Sequence, residues 1–302
     1  MPDLCLGTVQ FGMKYGVNNQ IGRQPVWEES FEMLDYALDH GIDTIDTASA
    51  YGEAEMILGT YFKRRSNSNK IKVISKLSPN IIGEDVPVKK TVMDECRQSL
   101  QKLGLDRLDG YLLHTPEYVY RADILEALCQ LKKEGYVRNI GVSIYDLKEG
   151  YAAIDSGAMD YIQLPYSLLD QRGMKEGFIP KAKKAGIKIF TRSAFLQGLF
   201  MMERTNIPDH LQKAVPYLDI VQRILQEFNV DLVSAILQFV KKEKDIDYLV
   251  FGVETIRQLE EDIIKAGKDD VPDECIRQLK EQINNVSQSI IFPSLWSNGK
   301  KA

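Results

Sequence analysis

Short apolar segments alternate along the chain with longer stretches whose apolar positions recur at spacings of three and four. The short segments are Leu4–Thr8, Asp43–Thr47, Lys72–Lys76, Asp109–Leu113, Asn139–Ser143, Tyr161–Leu164, Lys188–Arg192 and Tyr248–Phe251. Their Ile, Leu and Val content suits strands covered on both faces. Between them, Glu29–His40 puts Phe31, Leu34 and Leu38 on one helical face, and Met93–Leu103 and Ile124–Glu134 behave similarly. Glycine follows three such runs, in His40-Gly41, Glu134-Gly135 and Ala185-Gly186, where a left-handed residue would end the helix.

Eight strand–helix units result, and their regular alternation predicts an α/β fold with a parallel sheet. Eight units fit a closed (β/α)8 TIM barrel. An open doubly wound sheet competes, but it usually carries a glycine-rich phosphate loop after its first strand. Here the first strand runs Leu-Cys-Leu-Gly-Thr-Val-Gln-Phe-Gly, and neither G-x-G-x-x-G nor a P-loop follows. Two irregular stretches interrupt the alternation. Val9–Val26, with Gly12, Gly16 and Gly22, predicts a small hairpin, and Gln197–Pro216 precedes an extra helix; in a barrel both would lie over the C-terminal mouth. The tail predicts one further helix over Pro272–Ile290. No linker splits the chain, so residues 1–302 read as one domain with helices added to a barrel.

Composition changes this picture little. The net charge of -5 gives no general attraction to phosphate backbones or anionic lipid, which argues against nucleic-acid and membrane-surface partners. No apolar run reaches the length of about 20 residues that spans a bilayer. The N-terminus has no basic region followed by an apolar stretch and a small-residue cleavage site, so the expected location is the cytoplasm. Cys5, Cys96, Cys129 and Cys275 are far apart and form no C-x-x-C pair, which predicts reduced thiols. Oligomeric state is left open by the charge.

In a barrel, chemistry sits at the carboxyl ends of the strands. The second strand ends at Asp46-Thr47 and leads to Tyr51, the third ends at Lys76, and the fourth leads to His114. Singly, each has an ordinary structural use: Asp46 as a loop cap, Tyr51 as a partly buried aromatic, His114 as a satisfied histidine, Lys76 as one half of an ion pair. Adjacent strands lie about 4.8 Å apart, so these groups can meet in one pocket. Together they suit proton transfer coupled to reduction of a carbonyl. A phenol with an ordinary pKa of about 10 is a weak acid at neutral pH, and the Lys76 ammonium is expected to lower that value. Asp46 would orient Lys76, and His114 would donate to the carbonyl oxygen. No side chain carries hydride, so a nicotinamide cofactor is required. The three histidines, His40, His114 and His210, do not fall beside carboxylates on adjacent strand ends, which argues against a catalytic metal.

Gly41-Ile-Asp-Thr-Ile-Asp-Thr-Ala-Ser-Ala-Tyr-Gly-Glu-Ala-Glu55, Ile74-Ser-Lys76, Tyr111-Leu-Leu-His114 and Asn139-Ile-Gly-Val-Ser143 together resemble the aldo-keto reductase family, from Leu4 to about Ala266. The resemblance implies a (β/α)8 barrel that binds NADP(H), sometimes NAD(H), across its C-terminal mouth to interconvert a small-molecule carbonyl compound and its alcohol. It implies Tyr51 as proton donor, completed by Lys76, Asp46 and His114. For the cofactor it implies Gly7, Thr8 and Asp46 near the nicotinamide, and Ser143 and Gln163 on the carboxamide. Arg192, Ser193, Ala194, Phe195, Gln197 and Gly198 would line the ring and pyrophosphate. Gly252, Glu254, Gln258 and Asp262 would lie at the adenosine end. NADP(H) is the family default. Val253 and Glu254 stand where many relatives have Lys, Arg or Ser, and the Glu254 carboxylate would repel a 2′-phosphate and leave NAD(H) open, unless Arg257 or Arg204 compensates. Two further departures are Ile144, where the family usually has Asn, and Arg192, where an aromatic usually stacks on the ring. A barrel of this kind can also serve as a regulatory subunit, as in potassium-channel beta subunits; the intact tetrad argues against that alternative. Met13, Tyr15, Tyr118, Tyr166 and Met201 are the expected pocket rim, which leaves the substrate unspecified.

Overall fold

A computed structural model describes residues 1–19, 21–65 and 70–299. Eight parallel strands close into a barrel in sequence order: β1 Asp3–Gly7, β2 Thr44–Asp46, β3 Lys72–Leu77, β4 Leu108–Leu113, β5 Val137–Ser143, β6 Tyr161–Pro165, β7 Lys188–Arg192 and β8 Tyr248–Gly252. β1 closes the ring by pairing with β8, Gly7 opposite Gly252. Helices cover the outside, and the largest apolar cluster lies between them and the strands. The three helix-ending glycines adopt left-handed backbone as expected, with φ of 83° at Gly41, 84° at Gly135 and 81° at Gly186.

The strand period of two sorts the side chains. Cys5, Ile74, Leu112, Tyr161, Phe190 and Val250 form a second, separate apolar cluster, which fills the barrel interior. The Phe190 ring stacks on Tyr248 at 4.4 Å and tilts against Tyr161 at 5.0 Å, plugging the floor. Two residues further along each strand the side chain points inward again, one layer nearer the mouth. Those positions are Gly7, Lys76, His114, Gln163, Arg192 and Gly252. The strands thus carry apolar residues into the interior and polar ones onto its upper surface.

Two expected elements are corrected. The hairpin within Val9–Val26 is not formed: Val9–Gly12 is a single helical turn, and no strand follows among the described residues before the helix Trp27–Asp39. The backbone there bonds elsewhere, Val17 N–H donating to the Gln197 carbonyl at 3.1 Å and Gln24 Nε2 to the Phe11 carbonyl at 2.6 Å. The tail helix over Pro272–Ile290 is also broken. It ends at Gln282, Asn285 takes a left-handed φ of 53°, and Ser287 caps a separate turn at Gln288–Ile291. The break lets Ile283, Ile290 and Ile291 all bury, which one straight helix would not allow. Cys5, Cys96 and Cys275 are buried and all four thiols are free.

Candidate active site

Lys76 is the most constrained polar side chain of the barrel. It is fully buried, and its ammonium donates to both Asp46 oxygens at 2.8 and 2.7 Å, to the Thr47 carbonyl at 2.9 Å and to the Tyr51 hydroxyl at 3.4 Å. Burial alone would drive Lys76 toward the neutral amine; the Asp46 charge and the hydrogen bonds outweigh it, so its pKa rises and the ammonium persists. Asp46 is held from the far side by Gln163, whose Nε2 donates to Oδ1 at 2.7 Å, while Ser143 Oγ donates to Gln163 Oε1 at 3.1 Å. One chain of bonds therefore runs from β5 through β6 and β2 to β3.

Tyr51 reaches this group from the loop after β2. That loop is clamped against the Val9–Gly12 turn: Glu53 N–H donates to the Gly12 carbonyl at 3.4 Å, and Gly52 has a left-handed φ of 54°. A Cβ on Gly12 would fall 1.6 Å from the Tyr51 carbonyl oxygen and 2.7 Å from the Ala54 nitrogen. Gly12→Ala must therefore displace the Tyr51 backbone. We expect it to destabilise the protein by about 1–3 kcal/mol, the range for overpacking, and to misplace the phenol, read together as a lowered Tm and a lost turnover. Unchanged values of both would remove this role for the clamp.

The His114 ring meets Tyr51 edge-on, with centroids 5.8 Å apart. Burial, then the positive charges of Lys76 and Arg192, push His114 down to about 3, so the imidazole is neutral across the physiological range. Its buried Nδ1 has no hydrogen-bond partner. The Tyr51 phenol corrects an expectation. Burial pushes its pKa up, and the opposing pull of Lys76 does not bring it below the ordinary value. Tyr51 is therefore a protonated phenol at neutral pH.

These groups open onto a cavity of about 430 Å³. Gly7, Thr8, Asp46, Tyr51, His114 and Ser143 line its inner end. Arg192, Ser193, Ala194, Phe195, Gln197 and Gly198 form a wall, where Ser193, Leu196 and Gln197 all have positive φ, of 63°, 48° and 54°. Three non-glycine residues in left-handed backbone so close together mark a strained segment, of a kind that clusters at ligand sites. Gly252, Glu254, Gln258, Glu261 and Asp262 line the outer end. Asp262 is 7% exposed, and burial, then the Glu261 charge, push its carboxyl up to about 7.

Some sequence expectations fall elsewhere. Gln163 is fully buried and does not reach the cavity wall; it holds Asp46 from behind. Tyr118 donates to the Ile82 carbonyl, and Tyr166 donates to Glu243 at 2.6 Å; neither lines the cavity, and nor does Met13, whereas Tyr15 and Met201 do. Arg204 pairs with Asp219 at 2.9 Å, and Arg257 is exposed; neither lines the outer end. The sequence reading missed Gln10, whose buried Oε1 lacks a partner, and Tyr145, which carries the Arg192 guanidinium on its ring. It also missed Pro293 and Ser294, which the broken tail brings over the mouth.

Known proteins place the chain. The family model for the Aldo/keto reductase family matches residues 3–284. The chain is 25% identical to an NADH-specific methylglyoxal reductase of Escherichia coli, with 94% of this chain and 99% of that one covered. It is 29% identical to the aldo-keto reductase YhdN of Bacillus subtilis over 58% of this chain and 55% of that one. Among solved structures, the holo form of aldo-keto reductase AKR11C1 from Bacillus halodurans has the same fold, with a TM-score of 0.74, 19% identity and coverage of 97% and 94%. The chain belongs to the aldo-keto reductase family.

Proposed function

We propose that the chain interconverts an aldehyde or ketone with its alcohol, with Tyr51 as general acid and base and a nicotinamide dinucleotide as hydride carrier. The observation that carries this reading is the convergence of the Tyr51 hydroxyl, the Lys76 ammonium and the Asp46 carboxylate, beside a neutral His114, at one end of the cavity. When bound, the dinucleotide delivers hydride to the carbonyl carbon or removes it from the alcohol. The residues present fit such a group. Gln10 Oε1 and His114 Nδ1 are buried polar atoms without partners, the 193–198 wall has the strained backbone of a ligand cradle, and a Cβ on Gly252 would fall 2.4 Å from Gln10 Oε1.

In reduction, the neutral His114 donates one N–H to the carbonyl oxygen and positions it beside the Tyr51 hydroxyl. Tyr51 then releases its proton to that oxygen as negative charge builds there. Lys76 stabilises the phenolate left behind, an interaction stronger in the transition state than before it. Asp46 keeps Lys76 charged and aimed, and Gln163 keeps Asp46 in place. Oxidation of the alcohol runs the same steps backward. The Asp46–Lys76 pair is a permanent, buried dipole, so little reorganisation accompanies the proton transfer.

The reading includes a preference for NAD(H) over the family default NADP(H). The outer end of the cavity carries Glu254, Glu261 and Asp262; Lys265 pairs with Glu261 at 2.5 Å, while Arg204 and Arg257 stand elsewhere. A 2′-phosphate there would meet carboxylates, whereas a free ribose hydroxyl can donate to one. The Escherichia coli relative's name, NADH-specific, points the same way. Parallel fluorescence titrations with NADH and NADPH test the whole reading. We expect NADH to bind at least about tenfold more tightly, a difference of about 1.4 kcal/mol. Equal affinities would remove the preference, and no binding of either would remove the enzyme.

A further inference from the structure

Arg192 is a cation without a counter-ion at the reacting end of the cavity. It ends β7, two residues after Phe190 of the barrel floor, so its side chain points into the mouth. Its guanidinium lies 4.2 Å above the Tyr145 ring, which also approaches Phe292 edge-on at 5.5 Å. One N–H donates to the Ile144 carbonyl at 3.1 Å and another to Ser193 Oγ at 3.2 Å. A guanidinium has five N–H donors, and Arg192 forms no ion pair among the described residues. The nearby Asp170 carboxylate is taken by Arg172, at 2.8 and 2.7 Å. Elsewhere at this end, Asp46 and Lys76 cancel and His114 is neutral. The other carboxylates that line the cavity, Glu254, Glu261 and Asp262, lie at its opposite end. The inner end therefore has one uncompensated positive charge, held rigidly by a ring and two hydrogen bonds.

We propose that Arg192 is a specificity-determining residue that binds an oxyanion, a carboxylate or a phosphate, on the substrate, so that the compounds turned over are anionic carbonyls and hydroxy compounds rather than neutral ones. This rests on the oxidoreductase reading above. A planar guanidinium with free donors matches an oxyanion through two parallel charge-assisted bonds. Tyr145 and Ile144 hold it so that little side-chain entropy is lost on binding. In reduction, hydride adds to the carbonyl carbon and the Tyr51 proton to its oxygen; the anionic group is untouched and serves only to orient. The Ile144 backbone carbonyl, just past the end of β5, anchors the guanidinium that ends β7.

Matched pairs that differ in one anionic group test the proposal: glyoxylate against methylglyoxal for a carboxylate, and glyceraldehyde 3-phosphate against glyceraldehyde for a phosphate. In the wild type, kcat/KM for the anionic member of one pair is expected to exceed that of its neutral partner by about 10²-fold, the scale of a desolvated ion pair. Arg192→Met should collapse that ratio to near unity. Arg192→Lys should retain part of it, since the charge survives but the fork does not. Independently of turnover, oxamate or inorganic phosphate should raise the Tm of the NADH-loaded wild type and leave that of NADH-loaded Arg192→Met unmoved. A neutral preference in both pairs overturns the proposal. So does a loss of NADH affinity in Arg192→Met that accounts for equal losses on both members, because the residue would then serve the dinucleotide. Absence of NADH and NADPH binding in the wild type identifies failure of the oxidoreductase reading instead, and the proposal falls with it.

Discussion

Tyr51→Phe is expected to lower kcat by about 10³-fold, within the range for loss of a positioned proton donor, while the affinity for dinucleotide stays within a factor of about two. The substitution removes one oxygen and keeps the ring, so the edge contact with His114 at 5.8 Å and the Lys76 ammonium at 5.0 Å from the ring centre both survive. Its long 3.4 Å bond from Lys76 is the only hydrogen bond of the hydroxyl among the described residues, and that ammonium keeps three shorter ones. Stability should therefore change by about 1 kcal/mol or less. The pH profile of the wild type carries the same assignment. Tyr51 is pushed above its ordinary value by burial, so in the reductive direction the acid is protonated through neutrality and activity declines only on the alkaline side. His114, at about 3, gains its proton only in strong acid, so no limb should appear around its ordinary value of about 6.5. Turnover retained by Tyr51→Phe, or a limb at that ordinary histidine value, would contradict the roles given to these two residues.

The barrel was legible because strand period and helix period are local properties. Ile74-Ser-Lys76 shows why the tetrad was legible as well: a lysine in an apolar strand demands a partner, and the neighbouring strand end supplies Asp46. What the chain hides is contact between distant segments. The bond from Gln163 to Asp46 joins residues 117 positions apart, and no spacing rule links them. The space that makes Gly12 necessary is filled by the Tyr51 carbonyl, which becomes visible only once both loops are placed. The Val9–Val26 glycines predict turns correctly but not their partners, and the Gln197 carbonyl captures the backbone N–H a hairpin would have used. The sign of the Tyr51 shift is hidden in the sequence for a related reason. The Lys76 charge is visible in the sequence, but the depth of burial that outweighs it is a property of the assembled site.

Lys76→Met is expected to destabilise the protein by about 3–5 kcal/mol, because it leaves the Asp46 carboxylate buried with its counter-charge gone. Asp46 is 3% exposed, and without Lys76 it keeps, among the described residues, only the Gln163 amide on its side-chain oxygens. A loss of that size corresponds to a fall in Tm of about 5–8 °C for a chain of this length. The folded fraction of the variant should also lack turnover, since the phenolate of Tyr51 then forms without a neighbouring cation. Fold and chemistry are separated by the double variant Lys76→Met with Asp46→Leu. Removing both charges eliminates the stranded carboxylate, and apolar replacements of a buried pair are often neutral or better, so much of the lost stability should return. Recovery will be incomplete, because Gln163 Nε2 loses its acceptor. Turnover should not return at all, since neither substitution restores a cation beside the phenol. A double variant as unstable as Lys76→Met alone would show that the ammonium packs rather than compensates, and one that regains activity would show that Tyr51 does not depend on it.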